Sequence, residues 1–253
     1  MLLESRLRRQ GDRLFRWRSY LPLILLPAAL VALPDSGFVE RIFGDVGEAV
    51  WDGIALAVAV LGLAVRVLTV GFVPSGTSGR NTQEQRAVVL NTEGAYSLVR
   101  NPLYLANFLI FLGFALATKS WWFTLIACLA FALYYERIIY AEEGFLQERF
   151  GADYLRWAER TPAFLPDPRL WRRPALPFSP RMALRREYNG FYLIVVVFAA
   201  LDLIGDRLAE GESFAEWLKA DPFWPALFVI GTVVYLILRV LKKYTRVLDV
   251  AGR

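Results

Sequence analysis

The sequence groups its hydrophobic residues into blocks that are long enough to cross a lipid bilayer as helices. Crossing the hydrocarbon core takes about 20 consecutive apolar residues in a helix. Hydrophobic residues make up 56% of the chain, more than the roughly 45–50% of a typical soluble domain. The period-two alternation that marks the strands of a membrane barrel is not visible. We therefore predict an all-α, polytopic helical membrane protein.

Six apolar blocks are candidates for membrane spans. They are residues 20–34, 51–73, 102–118, 120–141, 190–206 and 223–241. Because Pro22 and Pro27 fall inside the first block, we expect that span to be kinked or only partly inserted. The third and fourth blocks are joined by the short turn 118–120, which predicts an antiparallel hairpin.

The distribution of charge between the blocks predicts their orientation, because Lys and Arg accumulate on the cytoplasmic side of a membrane. The loops 35–50 and 202–222 are acidic, whereas the segment 137–189 carries ten arginines and the C-terminal end is basic. Six spans with both termini in the cytoplasm satisfy every loop, and the arginine-rich N-terminal stretch is expected to be a retained cytoplasmic lead. Two long polar stretches, 74–101 and 142–189, then share the cytoplasmic face, where we expect any functional site.

The composition limits the chemistry that the chain can perform. There is no His and a single Cys, Cys128, in an apolar block. The commonest general base, a thiolate metal site and a disulfide framework are therefore excluded, and we expect no metal site. The charged residues include 25 Arg but only 4 Lys, a bias typical of GC-rich and hence bacterial genomes. The Arg pairs are expected to contact anionic lipid headgroups, and we predict no nucleic-acid partner.

The third block opens on Arg100-Asn101-Pro102, a helix-start signal. Asn is a favoured N-cap and Pro is favoured at the first helical position. In a helix, Arg100, Tyr104 and Asn107 lie on roughly one face. The N–H groups of a helix N-terminus favour an anionic ligand. The alternative is a capped helix whose Arg100 side chain reaches lipid headgroups.

The fourth block continues directly into charged residues. Glu136, Tyr140 and Glu143 share one helical face, whereas Glu142 and Glu143 point about 100° apart and cannot meet the same ligand atom,. Carboxylates near membrane depth are costly and usually face a cavity or a partner. The alternative is that the helix leaves the bilayer as a solvated amphipathic extension. We expect Arg66, near the end of the second block, to reach the membrane interface.

Four short motifs follow one another around the third and fourth blocks. They are Gly94-Ala95-Tyr96-Ser97-Leu98-Val99-Arg100-Asn101-Pro102-Leu103-Tyr104, Glu142-Glu143 with Leu146, Phe150-Gly151-Ala152-Asp153-Tyr154 and Thr161-Pro162-Ala163-Phe164-Leu165-Pro166. In this order and spacing they resemble the isoprenylcysteine carboxyl methyltransferase and phospholipid methyltransferase superfamily. Members of that superfamily are membrane enzymes that use S-adenosylmethionine. The resemblance covers about 90–166, the part that binds the cofactor in that family.

The resemblance implies roles for several residues. Arg100 would hold the cofactor carboxylate, and Glu142 or Glu143 would bind its ribose hydroxyls or ammonium group. Tyr96 and Tyr104 would wall the cofactor, with Asn107 on the same helix face. The implied cofactor-binding residues are Tyr96, Arg100, Asn101, Tyr104, Asn107, Glu142 and Glu143.

Position 101 departs from the family pattern, which has His where this chain has Asn101. Asn cannot accept a proton to become cationic, so a positioning role is favoured over proton abstraction. The implied catalytic residues are Arg100, Asn101 and Glu143. Residues expected to line the acceptor side of the pocket are Arg80, Gln83, Asn91 and Tyr140.

The sequence thus predicts a single membrane domain with N-terminal spans 1–73, a methyltransferase core 74–168 and a basic connector with a C-terminal helix pair 169–253. The expected function is methyl transfer from S-adenosylmethionine to a lipid or lipid-linked acceptor at the cytoplasmic face of a bacterial inner membrane. An oxygen acceptor, such as a prenylated carboxylate or a lipid-linked phosphate, needs no base and is favoured. A phospholipid amine, an NADPH-dependent membrane reductase and a non-enzymatic scaffold or transporter remain alternatives, and the oligomeric state stays open.

Overall fold

A computed structural model describes residues 3–18, 20–74, 87–209, 211, 213–220 and 222–250. Within these ranges every regular element is helical, which confirms the predicted all-α class. The α-helices are α1 Leu3–Trp17, α2 Leu26–Ala32, α3 Phe38–Phe72, α4 Ala95–Leu98, α5 Pro102–Ala117, α6 Trp121–Phe150, α7 Ala152–Ala158, α8 Pro180–Ala209, α9 Phe214–Ala220 and α10 Phe223–Tyr244. Short 3₁₀ turns cover Leu21–Leu25, Leu33–Asp35 and Pro168–Leu170.

Three of the described helices, α3, α6 and α10, are long and apolar enough to cross a membrane. They contain the second, fourth and sixth predicted spans. The third predicted span coincides with α5, a shorter apolar helix, and the fifth lies within α8. The first is broken into α2 and two 3₁₀ turns, since proline removes backbone donors and interrupts a continuous helix,. The count of six spans and the cytoplasmic position of both termini stay predictions.

Small residues bring α3 and α5 into close contact. A Cβ atom added at Gly62 would lie 2.6 Å from the Ala106 carbonyl oxygen, and one added at Gly113 would lie 2.7 Å from the Ala55 carbonyl oxygen. Glycine at these positions lets the two backbones approach, as in many membrane helix pairs. The largest buried cluster lies on this pair and on α8, which contributes Phe198.

The arginine-rich helix α1 lies along α6. A Cβ at Gly11 would meet the Arg137 carbonyl oxygen, so the two helices touch at their backbones. Further along, Phe15 is buried against Tyr104, Tyr135 and Ile138. The helix α1 therefore covers the part of α6 that leads towards the paired glutamates.

The connector between α7 and α8, residues 159–179, folds back over the start of α5. Three backbone hydrogen bonds fasten it: Arg100 N donates to Pro162 O at 2.8 Å, Asp167 N to Leu98 O at 3.0 Å, and Gly94 N to Arg172 O at 2.9 Å. The first predicted motif, 94–104, and the fourth, 161–166, are thereby held side by side although more than fifty residues separate them.

Candidate active site

The start of α5 is fixed by the connector as well as by its own capping signal. The helix begins at Pro102 with Asn101 at the N-cap, as the sequence predicts, but the Asn101 side chain makes no capping hydrogen bond. Its Nδ2 instead donates to Ala163 O at 2.9 Å. Asn101 is therefore a fastener between α5 and the connector, and it is not placed as a proton acceptor.

Arg100 lies between the C-terminal part of α6 and the end of α7. Its Nη1 donates to Ala158 O at 2.8 Å, and its Nη2 lies 3.0 Å from Glu143 Oε1, an ion pair without hydrogen-bond geometry. Tyr154 on α7 faces the same carboxylate. Burial raises the pKa of the Tyr154 phenol above its usual range, and the Glu143 charge raises it further against the opposing effect of Arg100. Tyr154 therefore stays protonated and can donate.

This cluster contains most of the unpaired buried polar atoms that the structure describes. Among the described residues, four buried side-chain atoms lack a hydrogen-bond partner, and three of them are Arg100 Nε, Glu143 Oε1 and Tyr154 Oη. Buried polar groups are paired in native proteins with few exceptions, because leaving one unpaired costs about 1–3 kcal/mol. Because Arg100 and Tyr154 both face the Glu143 carboxylate, Arg100 Nε is the atom of this cluster that is left for a further polar partner.

Glu142 points to a different set of partners. The Tyr104 hydroxyl donates to its carboxylate, and Arg18 Nη1 lies 3.9 Å away. The Arg18 guanidinium also lies 4.0 Å from the centroid of the Phe15 ring. The two adjacent glutamates thus serve separate halves of the site, as their 100° separation on α6 requires.

Asn107 lies about one helical turn beyond Tyr104 along α5, and its side chain contacts a buried ion pair. Arg66 Nη1 donates to Asn107 Oδ1 at 2.5 Å, while Arg66 Nε and Nη2 donate to the two carboxylate oxygens of Glu187 at 2.6 and 3.0 Å. The Arg66 side chain does not reach outward as expected for snorkelling to the interface, because only 15% of it is exposed. Its charge turns inward since Glu187 of α8, 4% exposed, offers a bidentate partner,.

The remaining predicted residues divide into three groups. Tyr96 on α4 lies within the electrostatic reach of Glu142, and burial with that charge raises the pKa of its phenol above the usual range. Asn91 is half-buried and Tyr140 is 38% exposed, and the polar contacts of the cluster include neither residue. Arg80 and Gln83 lie outside the described residues.

Three contributors to the site were missed by sequence reasoning. Tyr154 had a signal, since it closes the third motif, but it was given no role. Arg18 stands in a run of arginines, and Glu187 stands alone in a basic stretch, so neither has a spacing that marks it.

An open cleft of about 510 Å³ lies beside Arg100, lined by Arg100 and residues between 158 and 170. The connector residues Arg160, Asp167 and Leu165 give it a mixed polar and apolar lining. The cleft therefore opens onto the polar cluster at Arg100.

The donor set of the cluster fits S-adenosylmethionine. Arg100 Nε presents an unpaired donor for a carboxylate or hydroxyl group. The Glu143 carboxylate, which Arg100 and Tyr154 face, presents acceptor oxygens for an ammonium or hydroxyl group,. Tyr104 and Tyr135, with ring centroids 4.9 Å apart, form an aromatic wall on the apolar side. Carboxylate, ammonium, hydroxyl and aromatic groups are all present in that cofactor.

Residues 53–153 match the model of the phospholipid methyltransferase family, which confirms the resemblance predicted from the sequence. The matched region contains Arg100, Asn101, Tyr104, Glu142 and Glu143, whereas Arg18 and Glu187 lie outside it.

Two curated bacterial proteins are similar to half of the chain. The cobalt-zinc-cadmium resistance protein CzcN of Cupriavidus metallidurans is 36% identical over 131 residues, covering 50% of this chain and 58% of that protein. The nickel-cobalt-cadmium resistance protein NccN of Alcaligenes xylosoxydans xylosoxydans is 37% identical over 131 residues, covering 50% and 59%. The chain thus spans somewhat under three fifths of the length of these relatives. No solved structure matches the chain.

Proposed function

We propose that the chain is an integral membrane methyltransferase that transfers a methyl group from S-adenosylmethionine to a lipid or lipid-linked acceptor. The observation that carries the proposal is the polar cluster of Arg100, Glu143 and Tyr154, in which Arg100 Nε has no hydrogen-bond partner. It lies in, or directly beside, the region that matches the phospholipid methyltransferase family. The proposed location is the inner membrane of a bacterium, with the cluster facing the cytoplasm.

The residues of the cluster have distinct proposed roles. Arg100 binds the cofactor carboxylate through its free Nε, and Glu143 accepts a hydrogen bond from the ammonium or a ribose hydroxyl. Tyr154 donates to the same polar end. A bound cofactor would supply a methyl group on a cationic sulfonium: the methyl carbon would bond to the attacking acceptor in line with the breaking carbon–sulfur bond, and the neutral thioether would be the leaving group. The aromatic side chains of α5 and α6 exclude water from the acceptor side, where a low dielectric favours a reaction that neutralises charge,.

An oxygen acceptor is the proposed substrate class. Asn101 cannot take up a proton, and its amide is already engaged with Ala163. A carboxylate or phosphate is ionised before it reacts, so it needs no base, whereas an ammonium group must first lose a proton. The apolar outer faces of the helices allow a lipid to approach laterally while the cofactor enters through the cleft at Arg100.

An amine of a phospholipid is the second candidate, and the description of the matched family favours it. In that case Glu142 is the available carboxylate on the lipid side of the site, and its contact with Tyr104 would orient it towards the acceptor. Methylation removes a negative charge from an oxygen acceptor but not from an amine, so the charge of the methylated lipid distinguishes the two acceptors.

The names of the relatives connect the proposal to metal resistance. Methylating a lipid carboxylate or phosphate removes a negative charge, and an anionic surface attracts divalent cations. We therefore propose that this chain reduces metal binding at the membrane through its lipid product. Repeated methylation of an amine would leave the anionic groups of the lipid unchanged. A deletion strain that loses cadmium tolerance, and regains it only when the wild-type chain is supplied, would therefore favour the oxygen acceptor.

The first experiment is calorimetric titration of purified, detergent-solubilised protein with S-adenosylmethionine. Arg100→Gln and Glu143→Gln should each weaken binding by about 10–100-fold, the loss expected for a hydrogen bond to a charged group of about 1.5–3 kcal/mol. Arg156→Gln is the matched control, because Arg156 lies on the exposed face of α7 and pairs only locally with Asp153. NADPH is titrated alongside.

Saturable binding of S-adenosylmethionine that the two site variants weaken and the control does not would support the proposal. Binding of NADPH in its place would transfer the assignment to a reductase. A well-folded protein that binds neither ligand would refute an enzymatic role for the Arg100 cluster.

A further inference from the structure

The helix α8 lies outside the region that matches the methyltransferase family, yet it inserts a carboxylate into the polar interior. Glu187 is 4% exposed and holds Arg66 of α3 through two hydrogen bonds, at 2.6 and 3.0 Å. Arg66 is six residues before the end of α3 at Phe72, about 9 Å along the helix. The pair therefore lies at the same end of the bundle as the candidate active site.

The ion pair continues into the candidate site. The third donor of Arg66, Nη1, is 2.5 Å from Asn107 Oδ1, and Asn107 Nδ2 lies 3.4 Å from the Tyr135 hydroxyl. The Tyr135 ring packs against Tyr104, which donates to Glu142. One chain of contacts thus runs from α8 through α3, α5 and α6 to a glutamate of the site.

We propose that Glu187 is a positioning residue that sets the orientation of Asn107 and of the tyrosine wall through Arg66. The proposal rests on the methyltransferase function proposed above. A carboxylate that binds both Nε and Nη2 leaves the guanidinium plane one orientation, so Nη1 reaches Asn107 in a defined direction. Because Asn107 Oδ1 accepts from Arg66, its Nδ2 must face Tyr135, and the amide cannot flip without leaving a charged donor unpaired.

The connector keeps α8 in register for this task. Ser179 N donates to Gly71 O at 2.9 Å, and the Phe178 ring packs on Phe72 with centroids 5.2 Å apart. A Cβ atom on Gly71 would lie 2.1 Å from the Phe178 ring, so this contact needs glycine. The start of α8 is therefore pinned to the end of α3, at the positions five and six residues beyond Arg66. In this proposal α8 takes part in the site through Glu187.

The test must separate positioning from stability, since removing one member of a buried ion pair leaves the other charge uncompensated. The double variant Arg66→Leu with Glu187→Leu removes both charges together, and apolar replacement of a whole buried pair is often neutral or stabilising. Arg185→Gln is the matched control, because Arg185 lies on the same helix in an exposed pair with Asp249. For each protein the melting temperature and the dissociation constant of S-adenosylmethionine are measured.

We expect the double variant to melt at or above the wild-type temperature while binding S-adenosylmethionine about tenfold more weakly, as for the loss of one charge-assisted hydrogen bond. The control should match the wild type in both measurements. A double variant with wild-type affinity and wild-type melting would overturn the positioning role alone. A wild-type chain that binds no S-adenosylmethionine would instead overturn the proposed function, and this inference with it.

A second variant covers the case in which the double variant does not fold. Glu187→Asp keeps the charge but shortens the side chain by one methylene, so Arg66 must shift away from Asn107 to keep its partner. Weaker cofactor binding at an unchanged melting temperature would support the positioning role. Wild-type affinity in this variant would count against it.

Discussion

Gly113 allows α5 to touch α3 at the backbone, and this contact fixes where both helices stand relative to the site. A Cβ atom at Gly113 would lie 2.7 Å from Ala55 O and from Ala59 Cβ, and 2.9 Å from Ala59 N. Two of these three atoms belong to the backbone of α3, which cannot move away as a side chain could. We therefore predict that Gly113→Ala destabilises the protein, although alanine is the better helix former.

The magnitude follows from two opposing effects. Replacing glycine by alanine inside a helix stabilises by about 1 kcal/mol, whereas overpacking a tight contact costs about 1–3 kcal/mol. Gly53→Ala in α3 provides the matched control, because nothing lies within 4 Å of the added atom. The control should gain the helix propensity without the overpacking cost. The two variants should therefore differ by about 1–3 kcal/mol, and at roughly 2–4 °C per kcal/mol the melting temperatures differ by about 5 °C.

The assay is thermal unfolding of both variants in the same detergent, followed by helical circular dichroism. Gly113→Ala should melt below the wild type and Gly53→Ala at or above it. Equal melting temperatures for the two variants would refute the close approach of α3 and α5.

Three further predictions concern side chains around the two ends of the bundle. Arg18→Gln should weaken S-adenosylmethionine binding in the same titration, because Glu142 then loses a charged partner 3.9 Å away; unchanged affinity would exclude α1 from the site. Phe15→Ala should lower the free energy of unfolding by about 3–5 kcal/mol, as for truncation of a buried aromatic side chain, and should make α1 sensitive to limited proteolysis. Equal cleavage of α1 in the wild type would show that α1 is not docked. Burial disfavours the charge of Lys119, but the carboxylates of Asp52 and Glu48 outweigh this effect and raise the pKa of its ammonium group. The charged Lys119 should therefore stabilise the protein fully below pH 10.5, and this stabilisation should fall as the pH rises through the higher folded-state pKa. If the melting temperature of Lys119→Met falls as much over that pH range as that of the wild type, the prediction is contradicted.

The helical class and several helix boundaries could be predicted because they depend on local sequence. The apolar blocks locate α3, α6 and α10, which are long and apolar enough to cross a membrane, and Asn101-Pro102 locates the start of α5. The extent of α6 to Phe150 is consistent with the charged continuation of its apolar block. Proline positions account for the breaks around α2.

The partners of the site residues could be predicted only in part. Arg100 and Glu143 belong to motifs whose order along the chain implies proximity, and the structure places them 3.0 Å apart. The pairing of Arg66 with Glu187 joins residues 121 positions apart. No local period or spacing encodes such a pair, so Arg66 was assigned to the interface. Arg18 was likewise hidden, because its neighbours are arginines that face outward.

The three hydrogen bonds between the connector and the start of α5 all join backbone atoms. These three contacts do not depend on the side chains of either segment, whereas the Asn101 amide, which donates to Ala163 O, adds one that does. Exposed connector residues such as Leu165, 76% exposed at the rim of the cleft, are therefore free to be exchanged without shifting Arg100. The backbone frame of the cleft and its side-chain lining can therefore change independently, so substitutions in the connector can alter the entrance of the cleft while the backbone around Arg100 keeps its geometry.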